Sequence, residues 1–94
     1  MKGYQIKALE FKKLEDYELE SFQYEAYECE VNFGFDYCGM TFYIVCDRYV
    51  GWYCYVSGHE MGRTEDFLCE NFTACFIKCN DYWIDILEKF LTIE

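Results

Sequence analysis

The sequence predicts an α+β fold: an antiparallel β-meander of three to four strands, packed on one face by one bent helix or two helices at the C-terminal end. Two patterns lead to this prediction. Between Tyr27 and Tyr37, apolar and polar residues alternate without a break, which is the period of a half-buried strand. Beyond Thr64, apolar residues recur at helical spacing as far as Phe90, which indicates an amphipathic helical segment.

Two more strands are predicted at Met40–Asp47 and Trp52–Ser57, which are rich in the β-branched and aromatic residues that favour sheets. Tyr4–Phe11 alternates over part of its length and is predicted to be an edge strand. The first long strand is predicted to begin near Ser21 with a bulge close to Ala26, because the apolar residues change phase there.

The predicted turns set the register of the strands. A two-residue turn at Cys38-Gly39 would place Phe33 opposite Ile44. A three-residue loop that ends at Gly51, in the left-handed conformation that glycine favours, would place Ile44 opposite Val56. Both registers put the apolar residues on the same face of the sheet, whereas a slip by one residue would divide them between the two faces.

The helical segment can begin at Thr64, whose side chain would cap a helix with Glu65 and Asp66 in its first turn. Asn80-Asp81 would cap a second helix if the segment is divided at that point. One bent helix and two helices remain open alternatives, and either would cover the apolar face of the sheet.

Residues 1–94 are predicted to form a single compact domain, since this length suffices for one hydrophobic core. Eighteen acidic residues against eight basic ones give a formal net charge of −10, and no basic residue falls between Lys13 and Arg48. Nucleic acids and anionic membranes bind through Lys and Arg, so neither is expected as a direct ligand. A basic protein surface is the expected partner, although the same charge can serve solubility alone.

A cytoplasmic location is expected. The amino-terminal residues lack the apolar segment of a signal peptide, and no apolar run has the length that a membrane span requires. In a reducing compartment the seven cysteines are expected to be free thiols.

The face of the predicted sheet opposite the helices combines carboxylates with tyrosines. It would carry the following residues: Glu28, Glu30, Asp36, Thr41, Tyr43, Val45, Asp47, Tyr53, Tyr55 and Ser57. A solvated face is ordinary for an antiparallel sheet. Clustered tyrosines instead suggest a contact surface, because a tyrosine ring buries apolar area while its hydroxyl still finds hydrogen-bond partners.

The cysteines raise the question of a metal site. Cys75 and Cys79 are one helical turn apart, and Cys46 and Cys54 are predicted to be cross-strand neighbours, so four thiolates could converge on zinc. The spacing is not that of a zinc motif, and cysteine is often buried simply as a small apolar residue. We therefore expect buried free thiols, with no metal and no cofactor.

No catalytic residues are predicted. His59 is the single histidine, and it could form a nucleophilic dyad with a cysteine, oriented by the nearby Glu60. No cysteine-protease sequence surrounds any of the cysteines, however, and no phosphate-binding glycine-rich loop is present.

In size, charge and aromatic content, but in no alignable motif, the chain resembles two groups of small acidic inhibitors. One comprises phage-encoded anti-CRISPR and other DNA-mimic proteins, and the other comprises bacterial immunity proteins that neutralise nuclease toxins. The resemblance implies a stoichiometric inhibitor whose partner is a basic nuclease or CRISPR effector. The residues predicted to contact it are the acidic approach residues Glu15, Asp16, Glu18 and Glu20 and the sheet residues Glu28, Glu30, Asp36, Asp47, Tyr43, Tyr53 and Tyr55.

Two hypotheses from other classes remain. The chain could be a thiol-based metal or redox module, or a structural domain of a larger assembly whose tyrosine face is buried in a homo-oligomer such as a homodimer. Metal content distinguishes the former, and the oligomeric state distinguishes the latter.

Overall fold

The computed structural model describes residues 8–32, 39–58 and 62–91. Within these ranges the chain forms an antiparallel sheet and one C-terminal helix, which confirms the predicted α+β class and the helical cover. The elements are β1 (Lys12–Lys13), a 3-10 helix (Asp16–Glu18), β2 (Gln23–Asn32), β3 (Gly39–Asp47), β4 (Gly51–Gly58), β5 (Gly62–Arg63), β6 (Phe67–Cys69) and α1 (Phe72–Leu91).

The sheet is a meander built on the three long strands β2, β3 and β4. At one edge β1 pairs with β2. At the other edge β5 and β6 both pair with β4, one after the other along its length. The sheet therefore has more strands than predicted, because two- and three-residue strands are too short to show a period in the sequence.

The predicted register between β2 and β3 is wrong. Ile44 lies opposite Tyr27, and Gly39 is paired with Asn32, so Gly39 belongs to β3 and not to a turn. Cys38, the other residue of the predicted two-residue turn, lies outside the described residues. Phe33, the predicted neighbour of Ile44, lies outside the described residues. The predicted and observed partners of Ile44 are separated by an even number of residues.

The register between β3 and β4 also differs from the prediction. Ile44 lies opposite Cys54 instead of Val56, again an even shift. Gly51 does adopt a left-handed conformation, with φ of 81°, at the start of β4. Because side chains alternate with a period of two, an even shift leaves the described residues of these strands on their predicted faces. The predicted apolar face is therefore correct, although both predicted registers are wrong.

The beginning of the sheet is close to the prediction. A register shift between Gln23 and Glu25 provides the bulge that the change of apolar phase required. Residues 8–11 are not a strand, and only Lys12–Lys13 forms the edge strand. The earlier part of the predicted Tyr4–Phe11 strand lies outside the described residues.

Helix α1 begins later than predicted. Asn71, not Thr64, caps it: the Asn71 Oδ1 atom accepts a hydrogen bond of 2.8 Å from the Ala74 amide. The Thr64 hydroxyl instead accepts one from the Val56 amide, beside β4. The helix continues through Asn80-Asp81 without a break, so the single-helix alternative is correct.

The main core lies between α1 and the inner face of the sheet. Phe42, Ile44 and Cys75 are fully buried there. Burial of each large apolar side chain contributes about 1.5–3 kcal/mol. Aromatic rings from the helix close this core edge-to-face, with Trp83 at 6.1 Å from Phe42 and Phe72 at 4.7 Å from Tyr27 between ring centroids.

The amino-terminal segment is attached to the helix by a hydrogen bond between residues far apart in sequence. Asn80 Oδ1 accepts a hydrogen bond of 2.9 Å from the Leu9 amide, while its Nδ2 donates to the Phe76 carbonyl. Leu9 is consequently held in the core, where it is 5% exposed. Among the described residues, no helix is long and apolar enough to cross a membrane.

We predict that Asn80→Ala destabilises the fold by about 1–3 kcal/mol, because it leaves the Leu9 amide without its acceptor. Urea denaturation measures the loss, and hydrogen exchange at the Leu9 amide shows whether the segment has become loose. Asp81→Ala, at the exposed neighbouring position, is the control. Equal stability of the two variants would contradict the attachment.

Candidate functional site

The outer face of the sheet is partly covered by the chain that precedes β2. Leu14 and Leu19 pack on Ala26, Val45 and Tyr53, which form a second, smaller buried cluster. A backbone hydrogen bond of 2.8 Å from the Leu14 amide to the Ala26 carbonyl holds this segment against the sheet. The outer face is therefore not the open surface that the alternation alone predicts.

Residues 15–20, here called the acidic turn, project from this covering segment. Its centre is the 3-10 helix Asp16–Glu18. The Glu18 Oε1 atom accepts a hydrogen bond of 2.9 Å from the Glu15 amide, and the Gln23 side chain accepts one from the Glu20 amide. The four predicted approach residues are all exposed on this turn: Glu15, Asp16, Glu18 and Glu20.

The sequence patterns do not single out Tyr17 as a contact residue. Its side chain is 86% exposed, more than any other large apolar residue of the described chain. It stands between Asp16 and Glu18 on the acidic turn. An aromatic ring exposed among carboxylates is suited to binding, because it can bury area at low cost in side-chain entropy. The sequence offered no signal for this, since its neighbour Leu19 follows the same pattern and is partly buried.

A row of stacked tyrosines crosses the outer face, from the buried Tyr53 to the half-buried Tyr55 and Tyr43. Tyr43 and Tyr55 are cross-strand partners whose ring centroids are 4.8 Å apart, and Tyr53 lies 6.2 Å from Tyr55. The Arg63 guanidinium covers the Tyr55 ring at 3.8 Å and forms a 2.6 Å ion pair with Asp66. The predicted tyrosines are thus brought together.

Carboxylates border this row. Glu28 lies directly opposite Tyr43, and Glu30 lies opposite Thr41. Burial raises the pKa of Tyr43, and the charges of Tyr55, Glu28 and Glu30 raise it further. A tyrosine hydroxyl is neutral at physiological pH, and the raised pKa of Tyr43 keeps this hydroxyl a hydrogen-bond donor further into the alkaline range.

Two predicted contact residues are buried, which limits their role. Tyr53 is 8% exposed and Asp47 is 7% exposed. Asp47 Oδ1 accepts hydrogen bonds from the Tyr49 and Val50 amides, at 2.9 and 2.8 Å, and so closes the β3–β4 turn. Both side chains therefore stabilise the outer surface from inside the fold and are not exposed for contact with a partner. Asp36, a further predicted contact, and His59 lie outside the described residues.

A cluster of cysteines lies on the inner face. The sulfur atoms of Cys54, Cys69 and Cys75 are all within 4.8 Å of one another. Cys54 belongs to β4, Cys69 ends β6, and Cys75 lies in the first turns of α1. Cys79 follows one turn later, with its thiol near the Cys54 sulfur. We call these four residues the thiol cluster.

The thiols influence one another's protonation. Hydrogen bonds from Cys75 and Cys79 lower the pKa of Cys54, and the nearby Lys78 contributes in the same direction. The pKa values of Cys75 and Cys79 are raised, chiefly by the interaction with Cys54 and by burial. The Phe67 carbonyl accepts weak hydrogen bonds from Cys54 and Cys69, at 3.8 and 3.6 Å.

The predicted thiol set was partly wrong. Cys54, Cys75 and Cys79 are buried free thiols as expected, and Cys46 is free but only half-buried. Cys46 faces Trp52 across the strands instead of Cys54, and Cys69 takes its place in the cluster. The pairing of β6 with β4 brings Cys69 to this position, and a three-residue strand gave no sequence signal.

Comparison with known proteins gives no assignment: no family model, no curated protein and no solved structure matches this chain.

We predict that Asp47→Ala lowers the free energy of unfolding by about 1–3 kcal/mol, because two turn amides lose their acceptor. Asp47→Asn keeps an oxygen acceptor and should cost less. Chemical denaturation measures both, with the exposed Asp85→Ala as the control. A neutral effect of Asp47→Ala would show that the turn does not depend on this carboxylate.

We predict that the titration of Tyr43 lowers the free energy of unfolding at alkaline pH. Because its pKa is raised in the folded chain, its contribution is complete below about pH 10, the usual tyrosine pKa, and is lost as pH rises towards the folded value. Tyr43→Phe should therefore show a shallower alkaline loss of unfolding free energy than the unmodified chain. An alkaline curve for Tyr43→Phe that runs parallel to that of the unmodified chain would refute the prediction.

Proposed function

We propose that this protein is a small acidic inhibitor that binds the basic surface of a nucleic-acid-handling protein, such as a nuclease or a CRISPR effector. The observation that carries the proposal is the acidic turn. Four exposed carboxylates lie on the same six-residue turn as the exposed ring of Tyr17, on a segment held to the sheet by packing and hydrogen bonds. Charge and an aromatic anchor thus occur on one ordered projection.

The charge of the chain favours such a partner. A formal charge of −10 creates a field that accelerates encounters with a basic cleft and opposes contact with nucleic acid itself. Proteins that bind the phosphate backbone of nucleic acids have such basic clefts. The acidic turn would then occupy the place of the phosphates, with Glu15, Asp16 and Glu20 facing Lys and Arg side chains.

The tyrosine row would extend this contact. Tyr43 and Tyr55 offer stacked rings at intermediate exposure, with Glu28 and Glu30 alongside. Buried aromatic contacts carry more binding energy than charges at the rim of an interface. Tyr17 and Tyr43 are therefore the proposed anchors, and the carboxylates are the steering groups. Tyr53 and Asp47 act through the structure they support.

We predict that the protein displaces a nucleic-acid-binding protein from DNA. Proteins from a bacterial lysate are bound to immobilised double-stranded DNA at physiological salt, and the purified chain is then added to elute them. Glu15, Asp16 and Glu20 are replaced together by Lys in a test variant. Glu18 is left intact because it bonds to the turn backbone. The matched control reverses the exposed Glu70, Asp81 and Asp85, so that both variants have the same net charge.

The unmodified chain and the control variant should release the same protein, and the test variant should not. With that protein in hand, the test variant should mainly slow association and reduce its salt dependence. Tyr17→Ala or Tyr43→Ala should instead speed dissociation, at a cost of about 2 kcal/mol for a true anchor. Ile77→Ala, an exposed apolar position on α1, controls for the loss of apolar surface. Release of no protein, or equal release by the two charge variants, would refute the proposal.

The same surface would suit an immunity protein that neutralises a nuclease toxin. The two roles share their chemistry and differ in the released protein, which is either a toxin encoded with the inhibitor or a defence nuclease. Sequencing the released protein distinguishes them.

A further inference from the structure

We propose that Cys54, Cys69, Cys75 and Cys79 bind one zinc ion as a tetrathiolate site. This inference is independent of the acidic surface, and it departs from the expectation that these cysteines are only buried apolar residues. Its basis is the convergence of sulfur atoms from β4, β6 and α1 at one point of the core.

The distances suit a single ion. Three of the sulfurs lie within 4.8 Å of one another. Zinc holds thiolates at about 2.3 Å, so the sulfurs of a tetrahedral site are about 3.8 Å apart. Closing the cluster from 4.8 Å requires movements of about 1 Å or less, which rotation of cysteine side chains can provide. The fourth ligand, Cys79, lies one helical turn beyond Cys75 and near the Cys54 sulfur.

The backbone holds the ligands in place. Cys54 is paired with Phe67, two residues before Cys69, so the two strands fix both thiols on the inner face. Cys75 and Cys79 share one face of α1, and each is at most 2% exposed. Cys69 is half-buried and is the member of the cluster by which an ion would enter.

The surroundings suit negative sulfur. A zinc tetrathiolate carries net negative charge, which the protein around it has to stabilise. Lys78, beside the cluster, has its Nζ atom 4.9 Å from the centre of the Phe67 ring.

The donor set points to zinc among the common ions. Thiolates select soft or borderline metals, and a tetrahedral set of four sulfurs is typical of structural zinc. Within the described residues, the metal-ligating cluster contains cysteines and no carboxylate, which disfavours magnesium and calcium. Iron bound to four thiolates is the other chemistry that this geometry accepts, and displacement of bound cobalt by iron in preference to zinc would identify it.

The test uses the whole chain, purified anaerobically with reductant, and titrated with Co²⁺ as a spectroscopic substitute for zinc. We expect one equivalent of cobalt to produce the intense visible and charge-transfer absorption of tetrahedral thiolate coordination. One equivalent of zinc should then bleach it and raise the melting temperature. Absence of the thiolate spectrum would overturn the proposal, as would displacement by iron in preference to zinc.

Two half-buried cysteines provide a matched pair of variants. Cys69 belongs to the cluster and Cys46 does not, although both are half-buried free thiols. Cys69→Ser should weaken zinc binding by more than about 100-fold, because the loss of a metal ligand costs more affinity than the loss of a residue that only supports one. The same variant should also lose the zinc-dependent rise in melting temperature. Cys46→Ser should retain both. Equal behaviour of the two variants would refute the assignment.

X-ray absorption of the zinc-loaded, unmodified chain counts the ligands without any substitution, so the test does not depend on the folding of a variant. Four sulfur neighbours are expected. Fewer than four, or nitrogen and oxygen neighbours in their place, would overturn the four-cysteine site.

Discussion

The packing of α1 on the inner face of the sheet is the contact on which the remaining structure depends. Phe42 and Ile44 of the central strand β3 are completely buried beneath the helix. Their burial holds α1 against β3, β4 and β6. This packing brings Cys75 and Cys79 to Cys54, and it places Asn80 beside the Leu9 amide. Loss of this contact would release the helix, the amino-terminal attachment and the thiol cluster together.

Helix α1 covers the inner face of the sheet, so the outer face remains available for binding a partner. The acidic residues cannot enter the core without losing their hydration, so they collect on the covering segment and beside the tyrosine row. Leu14 and Leu19 hold that segment to the sheet. The small second cluster thus lets the acidic turn project as an ordered feature, and an ordered surface loses less entropy on binding.

The two proposed sites use opposite faces and opposite chemistries. The outer surface is acidic and solvated, whereas the thiol cluster is buried with Lys78 beside it. A bound zinc would connect β4, β6 and α1, of which β6 is a strand of only three residues. Metal binding would then strengthen the scaffold that presents the acidic turn, since binding free energy of a structural metal is also folding free energy.

The sequence by itself determined the fold class, the strands β3 and β4 and the face that each of their residues occupies, because apolar alternation reports orientation with a period of two. It could not determine the register: partners two or six residues apart satisfy the same alternation, and Ile44 pairs with Tyr27 and Cys54 only in the folded sheet. The tertiary structure also decided which tyrosines are exposed and which cysteines meet. Tyr53 is buried by Leu14 and Leu19, and Cys69 reaches Cys54 through a strand of three residues. Both outcomes depend on contacts between distant segments, which local patterns do not encode.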